Sequence, residues 1–118
     1  MRKLVIADRA RADLKDITDY TGREWGAGQS RRYLGAIKDR LARLRDRPGQ
    51  GTLRDEIGPD YRSVRSGRHV VFYRETGENI EIVRVLHERM DMHRQLRDRD
   101  TEVPAPAEAP QEKATDKE

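Results

Sequence analysis

The sequence contains no cysteine, and only 5% of its 118 residues are aromatic. The absence of cysteine excludes disulfide bonds, thiolate metal sites and nucleophilic thiol chemistry. With one tryptophan and one phenylalanine, binding of single-stranded nucleic acid by stacked aromatic rings is poorly supported. No hydrophobic run approaches the ~20 residues of a membrane span, and residues 4–7 are too short for a signal-peptide core. We therefore expect a soluble cytoplasmic protein without a metal or other cofactor.

The charge is divided unevenly along the chain. Although 40% of the residues are charged, the net charge is only +3. Residues 99–118 carry −3 and three of the five prolines, whereas residues 1–98 carry +6. A segment with one large apolar side chain cannot offset its ordering entropy by burial. We predict one folded basic domain over 1–98 and a disordered acidic tail over 99–118.

Two helices are predicted in the first half of the domain. Residues 3–6 form a short apolar run typical of a strand, and Asp8 then precedes a helical pattern that ends near Trp25. A second helix is expected from about Gln29 to Arg45, since its apolar residues fall within one narrow arc. Glycines 26 and 28 separate the two helices, so we predict an antiparallel helical hairpin. Trp25 is expected to fill the tip of this hairpin; the alternative is an exposed anchor for a binding partner.

The second half indicates an antiparallel sheet. Residues 61–64, 70–73 and 80–86 are strand-like, and residues 75–79 have the composition of a hairpin turn. If Tyr73 pairs with Ile80, then the helices cover the face that holds Val70, Phe72, Val83 and Val85. One or two helical turns are expected within residues 88–98. The predicted fold class is α+β: an N-terminal strand and an antiparallel helical hairpin packed on a small antiparallel sheet.

The second helix carries most of the excess positive charge, a net +5 over residues 31–47. One interpretation is an electrostatic surface for nucleic acid or an acidic partner. The other is that the arginine stems cover the edges of the apolar stripe while their charged ends stay in water. The second interpretation is favoured from sequence, because basic charge alone is not specific.

The histidines at positions 69, 87 and 93 match no metal-binding spacing. A metal-independent ribonuclease would need a base, an acid and cations around the scissile phosphate. His69 or His87, together with Tyr61 and nearby arginines, supplies such residue types. A sheet this rich in arginine also places some beside a histidine for purely structural reasons, so no reaction is assigned from these residues.

The ordered segments nevertheless resemble the RelE/ParE toxins of type II toxin–antitoxin systems, on the ParE side. The likeness covers about residues 2–93 and leaves the tail outside. It rests on the ordered set of segments, none of which is decisive alone: 10–14 with Ile17 and Tyr20, Trp25-Gly26, Tyr33-Leu34 with Ile37 and Leu41, 54–57, Arg62-Ser63, 67–74, and 82–87 with Arg89 and Asp91.

The resemblance implies a growth-inhibiting toxin that is neutralised by a small ParD-like antitoxin. ParE-type members are associated with inhibition of DNA gyrase through binding, which would make the protein a non-enzymatic gyrase inhibitor. RelE-type relatives are ribosome-dependent mRNA endonucleases, and this is the alternative function. A decayed toxin that is retained as a binding module is a third interpretation. Sequence-specific binding of nucleic acid is expected only through the antitoxin complex.

Arg68 and Arg84 stand where the RelE-type relatives have basic catalytic residues, and His87 follows the last strand. An arginine side chain is a good phosphate ligand but a poor base, which favours gyrase inhibition over RNA cleavage. We predict a functional surface and an antitoxin-binding groove, and assign no catalytic residue. The functional surface comprises Arg68, Arg84, His87 and Arg89; the antitoxin-binding residues are Leu14, Ile17, Tyr20, Leu34, Ile37 and Leu41.

Overall fold

The computed structural model describes residues 2–90 and 94–96. The elements follow in the order β1 (Lys3–Ile6), α1 (Asp8–Trp25), α2 (Ala27–Asp46), a 3-10 turn (Pro48–Gln50), β2 (Thr52–Leu53), β3 (Tyr61–Ser66), β4 (His69–Thr76) and β5 (Asn79–His87). Residues 94–96 form a further helical turn. The α+β prediction is confirmed. The predicted tail, 99–118, lies outside the described residues.

The five strands form one sheet in the order β1-β5-β4-β3-β2. β1 runs parallel to β5, and the other neighbours are antiparallel. β3, β4 and β5 are joined by two-residue turns that begin at Gly67 and Gly77, both with φ of 60°. Glycine at the first central position is typical of type II′ turns, whose twist matches that of the strands.

The helices begin and end close to the predicted positions. Only Gly26, with a φ of 90°, separates them. Where the helices meet, the hydroxyl oxygens of Thr21 and Ser30 lie 2.7 Å apart and are buried. This hydrogen bond satisfies two polar groups that would otherwise be costly to bury between the helices.

The predicted β4–β5 pairing is wrong. Tyr73 pairs with Ile82 rather than Ile80, and Thr76 pairs with Asn79 across the turn. A bulge then adds Val83 to β5, since Phe72 pairs with Arg84. The extra residue places Ile82 and Val85 on the same face, although they are three positions apart. The alternation of apolar and polar residues along β5 does not reveal such a bulge, so the sequence could not predict the change in pairing.

Both faces of the sheet are covered. The helices pack on the face that carries Val71, Tyr73, Ile80, Ile82 and Val85. The predicted face was therefore wrong for Val70, Phe72 and Val83 and correct for Val85. The opposite face forms a second apolar cluster with the helical turn at 94–96, through Leu96, which is 2% exposed. That cluster contains Tyr61, Val70, Phe72, Val83, Leu86 and Leu96, with Ile57 packed against it.

An ion pair connects α1, β5 and the turn at 94–96. Arg84 is 4% exposed, and its guanidinium donates to both carboxylate oxygens of Asp13 at 2.8 and 2.9 Å. It also donates to the Gln95 carbonyl oxygen at 3.3 Å. β1 ends opposite Ile82, and beyond it the Val85 N–H donates to the Asp13 carboxylate at 2.9 Å. Asp13 thus neutralises a buried cation and satisfies an N–H group on the uncovered edge of β5.

Replacing Asp13 with Ala should destabilise the fold by about 3–5 kcal/mol, because Arg84 would remain buried without a counter-charge. The double variant Asp13→Leu/Arg84→Met should lose clearly less stability than Asp13→Ala, since it removes both buried charges and its apolar side chains fill the space they occupied. Urea unfolding followed by circular dichroism measures the difference. Arg84→Met alone completes the comparison. If the double variant lost as much stability as Asp13→Ala and Arg84→Met added together, the two side chains would not be coupled, which would contradict the role of Asp13 as the counter-charge of Arg84.

Candidate functional site

The β3–β4 turn lies against the middle of α2 through Tyr33. The Tyr33 hydroxyl accepts the backbone N–H of Arg68 at 2.9 Å and lies 2.6 Å from Nδ1 of His69. A Cβ on Gly67 would come within 2.7 Å of the Tyr33 ring. Glycine is therefore required at position 67 both for its positive φ and for this close approach.

Four side-chain rings in consecutive contact form a row from the helical hairpin to the end of β5. Trp25 contacts Tyr33, Tyr33 contacts His69, and His69 contacts His87, with centroid distances of 5.8, 5.5 and 5.2 Å. All three contacts are edge-to-face, the favoured geometry for aromatic pairs. We refer to Trp25, Tyr33, His69 and His87 as the aromatic row. His69 and His87 are cross-strand partners, so the sheet register places them together.

The pKa values of both histidines of the aromatic row are lowered. Burial, reinforced by the neighbouring His87, lowers the pKa of His69 to about 4. Burial also lowers the pKa of His87. Nδ1 of His87 accepts the backbone N–H of Arg89 at 3.1 Å. Near pH 7 the row is therefore neutral, and one ring nitrogen of each histidine is within hydrogen-bonding distance of a protein partner.

Charged groups border the aromatic row on its exposed side. Glu88 forms ion pairs with Arg65 and, at 3.3 Å, with Arg68. The hydrogen bond from Arg65 is the main cause of the lowered pKa of Glu88. The Arg68 side chain stays 65% exposed, so it presents a cation to solvent beside the rings.

The structure brings together three of the four residues predicted for the functional surface. Arg68, His87 and Arg89 lie where the β3–β4 turn meets the end of β5, and the Glu88 N–H donates to the Arg68 carbonyl. Arg84 lies elsewhere: it is buried and held by Asp13 and Gln95. Its guanidinium has no free surface with which to bind a ligand.

The six residues predicted to bind an antitoxin differ in exposure. Ile17, Leu34, Ile37 and Leu41 are buried in the core of the free chain, and Leu14 packs against that core. Tyr20 is 54% exposed. A partner could therefore contact Tyr20, and the rim at Leu14, without opening the core.

Sequence reasoning missed part of this arrangement. Trp25 does not fill the tip of the hairpin; it is 47% exposed and packs edge-on against Tyr33. Tyr33 was assigned only to the apolar stripe of α2, and Glu88 was not singled out. The Gly67-Arg68-His69 segment was the available signal for a tight turn, but its contact with α2 depends on how the hairpin packs on the sheet.

Within residues 2–90 and 94–96, no helix combines the length and apolarity needed to cross a membrane. The same part of the chain contains no group of three or more histidine and carboxylate side chains placed to hold a metal ion.

Two solved structures share this architecture. One, from the chromosomal ParDE system of P. aeruginosa, superposes with a TM-score of 0.65 at 24% identity, covering 74% of this chain and 96% of that one. Another is in the toxin–antitoxin complex RelBE2 from Mycobacterium tuberculosis, with a TM-score of 0.55 at 24% identity, covering 73% and 96%. The fold is therefore that of the RelE/ParE toxins.

Sequence comparison narrows the class to one family. The family described as "ParE toxin of type II toxin-antitoxin system, parDE" matches residues 4–92. Toxin ParE1 of Mycobacterium tuberculosis (strain CDC 1551 / Oshkosh) is 41% identical over 95 residues, covering 80% of this chain and 97% of that protein. Toxin ParE of Escherichia coli is 41% identical over 102 residues, covering 84% and 97%. The chain belongs to the ParE family of toxins of type II toxin–antitoxin systems.

Two turn glycines provide a matched test of the Tyr33 contact. Gly77→Ala should lower the free energy of unfolding by about 1–2 kcal/mol, because alanine is strained at positive φ although its methyl group would contact no other atom there. Gly67→Ala should cost more, since its methyl group would also displace the Tyr33 ring. Thermal unfolding measures the stability, and NMR titration of His69 reports the state of the aromatic row. Equal losses with an unchanged His69 pKa would show that the ring contact contributes little.

Acid should destabilise the fold through His69. Its pKa is about 4 in the folded chain, whereas that of an unfolded histidine is about 6.5. Between these values the unfolded state binds the additional proton, so the free energy of unfolding falls as pH drops from 6.5 to 4, by up to about 3 kcal/mol. Above pH 7 this contribution is constant.

Urea unfolding between pH 4 and 8 measures this effect. His69→Gln retains a hydrogen-bond acceptor for Tyr33 but cannot titrate, so its stability should vary less over that range. The pH dependence of stability that remains in His69→Gln would come from His87 and the carboxylates. Identical pH profiles for the two proteins would contradict the buried, neutral state of His69.

Proposed function

We propose that this toxin acts by binding DNA gyrase and inhibiting it, rather than by cutting RNA. The observation that carries the proposal is the environment of Arg84. A nuclease of the RelE type would need this cation at the scissile phosphate, but here it is 4% exposed and bound by Asp13. The ParE family match supports the same function, because ParE-type toxins are associated with gyrase.

The residues proposed to contact gyrase surround the aromatic row. Arg68 and Arg89 are exposed, and Trp25 presents nearly half of its surface. Tryptophan and arginine are the residues that most often dominate protein–protein binding energy. Tyr33 and Gly67 would fix the position of Arg68 in this surface through the hydrogen bond to its N–H.

We also propose a small ParD-like antitoxin as the neutralising partner in the cytoplasm. Exposed apolar side chains support this, because a partner that covers them removes apolar surface from water. Tyr20 on α1 and Val5 on the edge strand β1 are exposed. Leu14 lies at the border between surface and core. Of the predicted antitoxin-binding residues, Tyr20 and Leu14 are therefore the ones we propose make direct contact.

The purified full-length protein should inhibit supercoiling by purified DNA gyrase. Arg68→Ala/Arg89→Ala should weaken inhibition at least tenfold, because two exposed contact residues together typically contribute more than about 1.4 kcal/mol. Arg11→Ala/Arg23→Ala is the matched control: it removes the same charge from exposed positions on α1 and should inhibit like the parent protein.

Expression in cells separates the two functions. Induction without the antitoxin should stop growth and trigger a DNA-damage response while transcripts stay intact, and co-expression of the antitoxin should restore growth. Cleavage of messenger RNA at defined codon positions, lost in His87→Ala, would instead establish the nuclease. Unaffected growth together with unaffected gyrase would leave only the decayed binding module.

A further inference from the structure

A polar groove of about 360 Å³ lies at the edge of the sheet. It forms because β2 covers β3 only at Arg62 and Ser63, which leaves the rest of that edge without a neighbouring strand. Arg40 of α2 bridges the gap, with Nε donating to the Arg65 carbonyl at 3.2 Å. Arg40, Arg54 and Arg65 all line the groove, and its described lining contains no carboxylate.

The α2 helix extends this basic surface. Positions 40, 43 and 47 follow the i, i+3, i+7 spacing that places side chains on one helical face. Gln50, which also lines the groove, donates to the backbone carbonyls of Arg43 and Arg47 at 3.3 and 3.1 Å. The backbone of Arg43 and of Arg47 therefore lies next to a lining residue of the groove. We refer to Arg40, Arg43, Arg47, Arg54 and Arg65 as the basic groove.

The arginines differ in whether their charge is already compensated. Arg54 and Arg65 form ion pairs with Glu56 and Glu88 at the surface. The other three arginines of the basic groove are Arg40 and Arg43 on α2 and Arg47, the residue that follows its last position. None of them forms an ion pair with a residue in the described part of the chain. Three unneutralised guanidinium groups on one face form an electrostatic surface that favours a polyanion.

We propose that the basic groove binds the phosphate backbone of nucleic acid, independently of base sequence. One guanidinium group can donate two parallel hydrogen bonds to the oxygens of one phosphate, and arginine is the preferred residue for this bidentate geometry. From Arg40 to Arg47 the helix rises about 10 Å, which spans about three steps of 3.4 Å along a DNA strand.

The lining also explains the choice of ligand. No aromatic ring lines the groove in the described part of the chain, so bases have no surface on which to stack, and binding is made through phosphates alone. Only Val64 and Val70 are large apolar lining residues, which offers little to the side chains of a peptide. These features favour a nucleic-acid backbone over an acidic protein segment.

Binding of a fluorescein-labelled 20-base-pair duplex, measured by anisotropy at 50, 100 and 200 mM KCl, tests the proposal on the full-length protein alone. The affinity should fall steeply with salt and be the same for unrelated sequences. Arg43→Gln/Arg47→Gln should weaken binding about tenfold or more at 100 mM. The same variant should reduce the salt slope by about two, because two phosphates would no longer be neutralised by the protein.

The matched control is Arg31→Gln/Lys38→Gln. It removes the same charge from two exposed positions on the opposite margin of α2 and should leave both affinity and slope nearly unchanged. Arg43→Lys/Arg47→Lys should keep the salt slope. All these positions are exposed, so the variants should fold, and circular dichroism checks this.

Three outcomes would overturn the proposal: no duplex binding at 50 mM salt, an equal weakening in the control variant, or a poly-glutamate peptide that competes better than unlabelled duplex. If inorganic phosphate competed as well per phosphate as the duplex, the groove would be a site for free phosphate instead. Gyrase is absent from this assay, so the result is independent of the gyrase proposal.

Discussion

The buried pair between Arg84 and Asp13 holds the two layers of the domain together. Its partners are 71 positions apart in sequence, and it joins α1, β5 and the turn at 94–96 at one point. A cation this deeply buried is tolerable only with a hydrogen-bonded counter-charge, and Asp13 provides one in bidentate geometry. Because the same carboxylate accepts the Val85 N–H, it also takes the place of a strand where β1 ends. The helical layer is thereby fixed against the last strand.

The pair also determines which arginines can act on a partner. It withdraws Arg84 from the surface, while Arg68 and Arg89 remain in solvent beside neutral histidines. One arginine, Arg84, therefore has a structural role in the interior, whereas the charges of Arg68 and Arg89 are exposed. The aromatic row lies where β4 begins and β5 ends, and the basic groove lies beside α2 and the uncovered edge of β3. Arg65, which lines the groove, also pairs with Glu88 beside the row.

A large share of the fold could be predicted from sequence because its signals are local. The α1 and α2 helices follow from apolar spacing near 3.6 residues, interrupted by glycine at position 26, and β1 follows from a short apolar run. The face assignment of β5 failed at Val83, where one extra residue reverses the alternation. Arg68, His87 and Arg89 lie close together because Arg68 directly precedes β4, and the β4–β5 hairpin places the start of β4 beside the end of β5. Arg84 was misplaced because nothing near it in sequence reveals Asp13.

The element order, the α+β class, the excess of positive charge on the second helix and the resemblance to the RelE/ParE toxins could all be read from the amino-acid sequence alone. Backbone geometry and hydrophobic periodicity act over a few residues, so they are visible without a partner strand or helix. Which charges are neutralised, which aromatic rings touch and where the sheet edge is left uncovered became known only from the folded structure. Those outcomes depend on contacts between residues far apart in the chain, such as Tyr33 with His69 and Arg40 with Arg65, and they exist only once the helical hairpin has packed on the sheet.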